Sequence, residues 1–132
     1  MPPDVNSETF LHGKAYSMKI IGSGNIELLF KTDDQGRLLC YETSGFGIIK
    51  DYGKVSNGIA KTMLSYWDMK NGKGTLYLGD NNGDLKIINI EEGKIEKERL
   101  KLHGNGLFAM DLSKDAKKIF TTDFGNYLKV WE

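Results

Sequence analysis

The sequence has little of what several large classes of protein depend on. A single cysteine, Cys40, excludes an intrachain disulfide, which favours a reducing compartment, and we expect this thiol to be a small buried hydrophobe on a strand. The 18 basic and 18 acidic residues leave no net charge, whereas electrostatic binders of nucleic acid or of membranes need a basic patch. We therefore expect neither nucleic acid nor a membrane as partner.

Long apolar runs are also missing. No stretch approaches the roughly 20 apolar residues of a membrane-spanning helix, and the polar start Met1-Pro2-Pro3-Asp4 lacks the basic and apolar regions of a signal peptide. These two features and the lone thiol predict a cytoplasmic protein. Two prolines against sixteen glycines suit many short strands joined by glycine turns.

One pattern occurs three times in the chain. It consists of Asp, two residues, Gly or Asn, one residue and Leu, and its copies begin at Asp33, Asp80 and Asp123. The spacings of 47 and 43 residues lie close to the period of about 40–45 residues of four-stranded propeller blades. Each copy is flanked by β-prone runs, so each predicts a strand, a turn and a second strand.

The repeat predicts an all-β fold: a β-propeller-like array of three consecutive four-stranded antiparallel blades, a partial propeller with about ten strands. We expect an N-terminal arm over residues 1–10 and the array over residues 11–132, with repeats at about 11–42, 43–90 and 91–132. Lys94 to Leu102 is compatible with a short helix, but its charged alternation favours an exposed edge strand. The expected core residues are Leu38, Leu76, Leu85, Ile87, Phe120, Leu128 and Trp131.

The third repeat resembles the WD-repeat (WD40) β-propeller family. It runs from His103-Gly104 through an apolar strand, the turn Ser113-Lys114-Asp115, another strand and the Asp123 turn to a strand that ends in Trp131. His12-Gly13 lies 21 residues before Asp33, and His103-Gly104 lies 20 before Asp123. The family usually has Gly-His, whereas both pairs here are His-Gly. Trp67-Asp68 falls at a different point of the repeat.

The resemblance implies a buried Trp–Ser/Thr–His–Asp hydrogen-bond network with Trp131, Thr121 or Thr122, and His103 as candidates. The family's acid is expected about six residues before the Trp, where Gly125 stands, and Asp123 is two residues earlier. We assign structural repeat positions and no catalytic, cofactor-binding or metal-binding ones. They are His12, Gly13, Asp33, Gly36, Asp80, Gly83, His103, Gly104, Asp123 and Trp131.

The recurring aspartates allow two interpretations, a ring of carboxylates or turn acids bonded to their own backbone, and the recurrence favours the turn acids. Asp80, Asn82, Asp84 and Glu91 partly match a calcium loop, but Leu85 replaces its glycine. Two histidines 91 residues apart and one cysteine make no metal set. We expect no metal, no cofactor and no enzymatic activity.

The resemblance implies a non-catalytic protein–protein interaction scaffold that binds a protein or peptide on an acidic-to-neutral loop face. The alternative is a quinoprotein-like or other small-ligand-binding or enzymatic propeller segment, because residues 75–85 resemble repeats of that kind. Three blades are fewer than a propeller usually closes with. The chain is therefore expected to belong to a larger propeller, to self-associate, or to be completed by another chain, with Val5–Leu11 as a segment for exchange.

Overall fold

Short β-prone runs alternate with Gly, Asn and Asp turns, and they form eleven strands. The computed structural model describes residues 17–23, 26–45, 47–68, 70–123, 125 and 127–132, and this part contains no helix. The strands are β1 (Ser17–Ser23), β2 (Ile26–Thr32), β3 (Arg37–Glu42), β4 (Ile48–Lys54), β5 (Ala60–Asp68), β6 (Lys73–Asp80), β7 (Leu85–Asn89), β8 (Lys94–Arg99), β9 (Leu107–Leu112), β10 (Ile119–Asp123) and β11 (Leu128–Trp131). A helix capable of crossing a membrane is absent from these ranges.

The strands form three antiparallel meanders, in the orders β1-β2-β3-β4, β5-β6-β7-β8 and β9-β10-β11. The predicted all-β array is thus confirmed, and Lys94–Arg99 is an edge strand, exposed at every position, and not a helix. The first two sheets have the four strands predicted for a blade, and the third has three described strands. In the first two sheets the fourth strand follows the third along the chain, whereas no described strand pairs with the outer edge of β11.

The first strand of each sheet lies beside that of the next, with β5 between β1 and β9. β4 belongs to the first sheet although it lies in the interval assigned to the second repeat, as expected when repeats and blades are offset by one strand. The repeat limits themselves remain a prediction. The arm over residues 1–10, the exchange segment Val5–Leu11 and the pair His12-Gly13 lie outside the described residues.

The main core fills the space between the first and second sheets. Phe30 and Leu38 from one side meet Leu76 and Ile88 from the other, and all four side chains are fully buried. The carbonyl oxygen of Ala60, where β5 begins, accepts a hydrogen bond from Thr32 Oγ1 at 2.9 Å. Burial of these apolar side chains is the main force that holds the first two sheets together.

A smaller core joins the second and third sheets. Leu85 and Leu107 are buried at its centre, and Ile87 and Trp131 pack against it while partly exposed. The expected burial of Leu128 is wrong, because its side chain is 63% exposed. Successive residues of a strand point to opposite faces, so Trp131 faces the second sheet and Leu128 faces away from it.

Candidate functional site

One end of the three sheets is built from turns and connectors that touch one another. Strands of a meander alternate in direction, so the turns after β2, β6 and β10 lie at the same end as the connectors β4–β5 and β8–β9. We call this the turn end. Its described residues are 33–37, 55–59, 80–84, 100–106, 123, 125 and 127.

Each turn at this end is closed by its recurring aspartate. One carboxylate oxygen accepts hydrogen bonds from backbone N–H groups two or four residues further along the chain. The bonds to Oδ1 come from Gln35 N and Arg37 N to Asp33, both at 2.9 Å, from Asn82 N (2.9 Å) and Asp84 N (3.0 Å) to Asp80, and from Gly125 N (2.8 Å) to Asp123. These are side-chain-to-backbone turns, which is the structural interpretation of the aspartates.

The second carboxylate oxygen has a different partner in each sheet. Asp80 Oδ2 accepts a hydrogen bond from Ser56 Oγ at 2.7 Å, and Asp123 Oδ2 lies 2.9 Å from His103 Nδ1. Both partners sit on the connector that leads into the sheet of that aspartate. Asp33 Oδ2 instead faces Arg37 Nε at 4.0 Å. Buried hydrogen bonds therefore join the second and third turns to the connectors that lead into their sheets.

The same connectors are also bound by the preceding sheet. The carbonyl oxygens of Gly36 and Gly83 accept hydrogen bonds from Val55 N and Leu102 N, both at 2.9 Å. Both glycines have positive φ, 78° and 83°, and a Cβ on either would collide with a connector carbonyl oxygen. Glycine is required here by conformation and by space. Each connector is thus held by the turns of two successive sheets.

A chain of four side chains links the third turn to its last strand. His103 Nε2 lies 2.7 Å from Thr121 Oγ1, and Trp131 Nε1 donates to the same oxygen at 3.0 Å. Because the Asp123 carboxylate only accepts, His103 Nδ1 carries a proton and donates to it. With the ring proton on Nδ1, His103 Nε2 is the acceptor for the Thr121 hydroxyl. In this arrangement every polar hydrogen of these four side chains has an acceptor.

The group Asp123–His103–Thr121 has the order of an acid, a histidine and a hydroxyl in a hydrolytic triad. Here the hydroxyl is closed off, since Thr121 has 0% and His103 1% of its surface exposed. The Thr121 oxygen also accepts the indole N–H, so its surroundings contain no space for a substrate carbonyl. The arrangement fits a stabilising network and gives no support to nucleophilic catalysis.

The environment of Asp123 favours its charged form. Burial acts to raise the pKa of this carboxyl, but the hydrogen bonds from His103 and from the backbone N–H groups of Gly125 and Tyr127 outweigh it and lower the pKa below the usual value. The ionised carboxylate is therefore the form that the folded turn stabilises.

The structure places most of the predicted repeat residues at the turn end. Asp33, Asp80 and Asp123 occupy equivalent turn positions, while His12 and Gly13 lie outside the described ranges. Gly104 is exposed, and nothing lies within 4 Å of a Cβ placed on it, so its position does not require glycine.

The acid of the network lies two residues before the position expected from the family. Asp123, eight residues before Trp131, supplies the carboxylate, and Gly125 does not. Ser56 was missed as the counterpart of His103. Its spacing of 24 residues before Asp80, against 20 for His103 and Asp123, was the available signal.

The carboxylate oxygens of the partial calcium pattern accept hydrogen bonds from other groups. Asp80 binds the turn and Ser56, and Asp84 Oδ1 accepts a hydrogen bond from Lys101 N at 2.8 Å. Across the described ranges no cluster of three or more His, Cys, Asp or Glu side chains is placed to hold a metal ion.

The shared hydroxyl of Thr121 gives the first test. Thr121→Val keeps the side-chain volume but leaves the buried His103 Nε2 without its donor, so we expect a loss of about 1–3 kcal/mol in the free energy of unfolding. Thr122→Val is the matched control, since the Thr122 hydroxyl makes only a 3.4 Å contact with Ala109 O. Urea unfolding measures both variants, and equal losses would contradict the network's role.

The lowered pKa of Asp123 predicts a pH dependence. The ionised carboxylate stabilises the fold above the unfolded-state pKa of about 3.9, and this stabilisation is lost as the pH falls through the lower folded pKa. Asp123→Asn should therefore lower the Tm at pH 7, and its difference from the parent should shrink below about pH 4.

Asp34→Asn is the control for this titration, because Asp34 neighbours Asp33 and makes no hydrogen bond with any described residue. We expect its Tm to follow that of the parent chain. A deficit of Asp123→Asn that stays constant down to the lowest pH would show that the charge is not its source.

Comparison with known proteins agrees with this architecture. No protein-family model and no curated protein sequence matches the chain. A chain of the Chaetomium thermophilum Polycomb Repressive Complex 2 is similar to it in structure, with a TM-score of 0.73 and 16% identity over 96% of this chain and 30% of that one. The WD40 β-propeller domain of Doa1 is also similar, with a TM-score of 0.73 and 12% identity over 92% of this chain and 38% of that one.

The chain thus spans 30% and 38% of the lengths of these two structures. At such low identities the likeness concerns the fold alone. The fold is an all-β array of three antiparallel sheets, similar to part of a WD40 β-propeller.

Proposed function

We propose that this chain is a non-catalytic scaffold that binds an extended protein segment at its turn end. The observation that carries the proposal is the double attachment of both connectors to the turns of successive sheets. It fixes the loops of three sheets relative to one another, and loops on a rigid support are where binding residues tend to lie. Little conformational entropy is then lost when a partner binds.

The exposed side chains of the turn end can recognise a partner through hydrogen bonds. The carboxylates of Asp33, Asp80 and Asp123 are buried in their turns, so they form no acidic ring at the surface. The side chains that remain available include the amides of Gln35, Asn57, Asn81 and Asn105, and beside them the charged Arg37 and Lys101 and the exposed Leu100 and Tyr127.

Amide side chains both donate and accept hydrogen bonds, as the backbone of an extended peptide does. The side chains of Asn57 and Asn105 are exposed and form no hydrogen bond with the described part of the chain. We therefore expect a polar partner segment with little charge. The loop face was expected to be acidic to neutral, and we propose that it is neutral.

Two observations bear on the alternative of an enzymatic or quinoprotein-like propeller. The only histidine of the described ranges, His103, is buried with its hydrogen bonds satisfied, and the Thr121 hydroxyl beside it is inaccessible. The Polycomb structure that the chain resembles is a complex, which favours protein partners by analogy.

We also propose that the protein acts in the cytoplasm, as its single buried and unpaired thiol suggests.

A library of random peptides displayed on phage tests this function directly. Peptides selected on the parent chain should bind Asn57→Ala/Asn105→Ala at least about tenfold more weakly, because two hydrogen bonds to the peptide are lost. Ser44→Ala/Lys114→Ala is the matched control, with two exposed residues at the opposite end. Selected peptides that respond to the control pair and not to the asparagine pair would refute the proposal.

A second contact surface is the open face of the third sheet. Leu128 and Val130 are 63% and 50% exposed and lie opposite Thr122 and Phe120 across the β10–β11 pair. The exposed side chains of Leu128 and Val130, with Phe120 on the neighbouring strand, form an apolar patch. Soluble monomers rarely leave such patches uncovered. We propose that another polypeptide, a second copy of this chain included, covers this face.

Light scattering tests self-association through this face. We expect a molar mass above the 14.8 kDa of one chain, and Leu128→Lys/Val130→Lys should reduce it to that value. Lys54→Gln/Lys70→Gln, at exposed positions on other surfaces, should leave the mass unchanged. A parent chain that is monomeric at all concentrations would contradict self-association.

A further inference from the structure

A cleft of about 400 Å³ opens between the first and second sheets at the end opposite the turn end. Its walls come from the ends of β1 and β5, the starts of β2 and β4, the middle of β3 and the residues after β7. Seven of its nine lining residues are apolar or aromatic or carry a neutral thiol: Ile21, Leu28, Cys40, Ile49, Tyr52, Trp67 and Ile90. Lys50 and Glu91 complete the lining.

The cleft exists because the core between these sheets is filled unevenly. Towards the turn end Phe30, Leu38 and Leu76 close it completely, whereas Leu28 and Trp67 at the other end are only partly buried. A volume of about 400 Å³ lies in the usual range of small-molecule sites. The corresponding cleft between the second and third sheets measures about 200 Å³ and is lined by Lys97, Arg99 and Lys117 among others.

Most polar groups of the cleft are already bonded. Glu91 accepts a hydrogen bond from Gly74 N at 2.8 Å, and the Tyr52 hydroxyl donates to Ile90 O at 2.9 Å. The Lys50 ammonium lies 5.0 Å from the centre of the Tyr52 ring and forms no ion pair with any described carboxylate. Lys50 is thus the cation that remains available to a ligand.

The field of Lys50 extends into the cleft. Burial raises the pKa of the Cys40 thiol to about 11, and the Lys50 ammonium acts against this rise. Cys40 is therefore neutral at physiological pH and serves as part of the apolar wall. A ligand in the cleft meets an apolar floor, an indole edge and one cation.

We propose that this cleft binds a small carboxylate with an apolar body, which places its chain against Trp67 and Ile21 and its carboxylate on Lys50. Apolar surface supplies most of the affinity of such sites, and a few polar groups fix the orientation. The Lys50 ammonium disfavours a cationic head group at the same position. This site lies at the opposite end from the proposed peptide surface, and its tests involve other residues.

Octanoate, octan-1-ol and octylammonium are suitable probes, because they share one chain length and differ in head group. Isothermal titration calorimetry should show one saturable site that prefers octanoate to octanol and octanol to octylammonium. Lys50→Gln should weaken octanoate binding about twofold to fivefold, which is the range of a partly exposed ion pair. Octanol binding should stay unchanged in that variant, and Lys54→Gln on the same strand should affect neither ligand.

Two neighbouring isoleucines test the location of the site. Ile49 is 54% exposed and lines the cleft, whereas Ile48 is 50% exposed and does not. Ile49→Trp should block the entrance and abolish binding, and Ile48→Trp should bind as the parent does. Both substitutions are at exposed positions, so folding should survive, and a Tm within about two degrees of the parent confirms this.

The fluorescence of Trp67 gives a separate readout. Octanoate should change the tryptophan emission of the parent chain, and Trp67→Phe should remove most of that change while calorimetry still detects binding. The proposal is overturned by the absence of saturable octanoate binding, by octylammonium binding as tight as that of octanoate, or by equal effects of Ile48→Trp and Ile49→Trp.

Discussion

The aspartate at the end of the second strand of each sheet is the constraint on which the turn end depends. A carboxylate has two oxygens, and these aspartates use them separately. One oxygen closes the turn through backbone N–H groups, and in the second and third sheets the other reaches the connector that enters the sheet. A single side chain thereby fixes both the local conformation of a turn and its position relative to the neighbouring chain.

The residue that bonds to the second carboxylate oxygen differs between sheets, but the link between turn and connector is kept. Ser56 in the second sheet and His103 in the third both reach the aspartate from the connector, although serine is much the shorter side chain. The longer imidazole spans further and also contacts Thr121, which brings Trp131 into the network. Sequence divergence at this position therefore changes how far the network extends and preserves the link between turn and connector.

Much of the fold could be predicted from the sequence because its signals are local. The repeated Asp and Gly positions marked the turns, and the β-prone runs around them became strands at nearly the expected places. The part of Asp123 in the network could not be predicted from its distance to Trp131, because the carboxylate position is set by side-chain reach. Asp123 gains its second contact through His103, which is 20 residues away in sequence.

Other features depend on what covers a surface, and alternation along a strand cannot reveal this. Alternation puts Leu128 and Trp131 on opposite faces of β11, but which of the two faces meets a neighbouring sheet is a tertiary property. The cleft beside Trp67 was equally out of reach, because it arises where five strands fail to fill a common space.

The double attachment of the connectors also bears on how the chain unfolds. Stability in repeat arrays is commonly divided into a part intrinsic to each repeat and a part that belongs to the junction between neighbours. The bonds of Val55 with Gly36 and of Ser56 with Asp80 lie in the junction. One sheet cannot separate from the next without breaking them, so the smallest cooperative unit spans two sheets. Amide hydrogen exchange of Val55 and Leu102, whose N–H groups bond to the turn of the preceding sheet, therefore reports the opening of a junction.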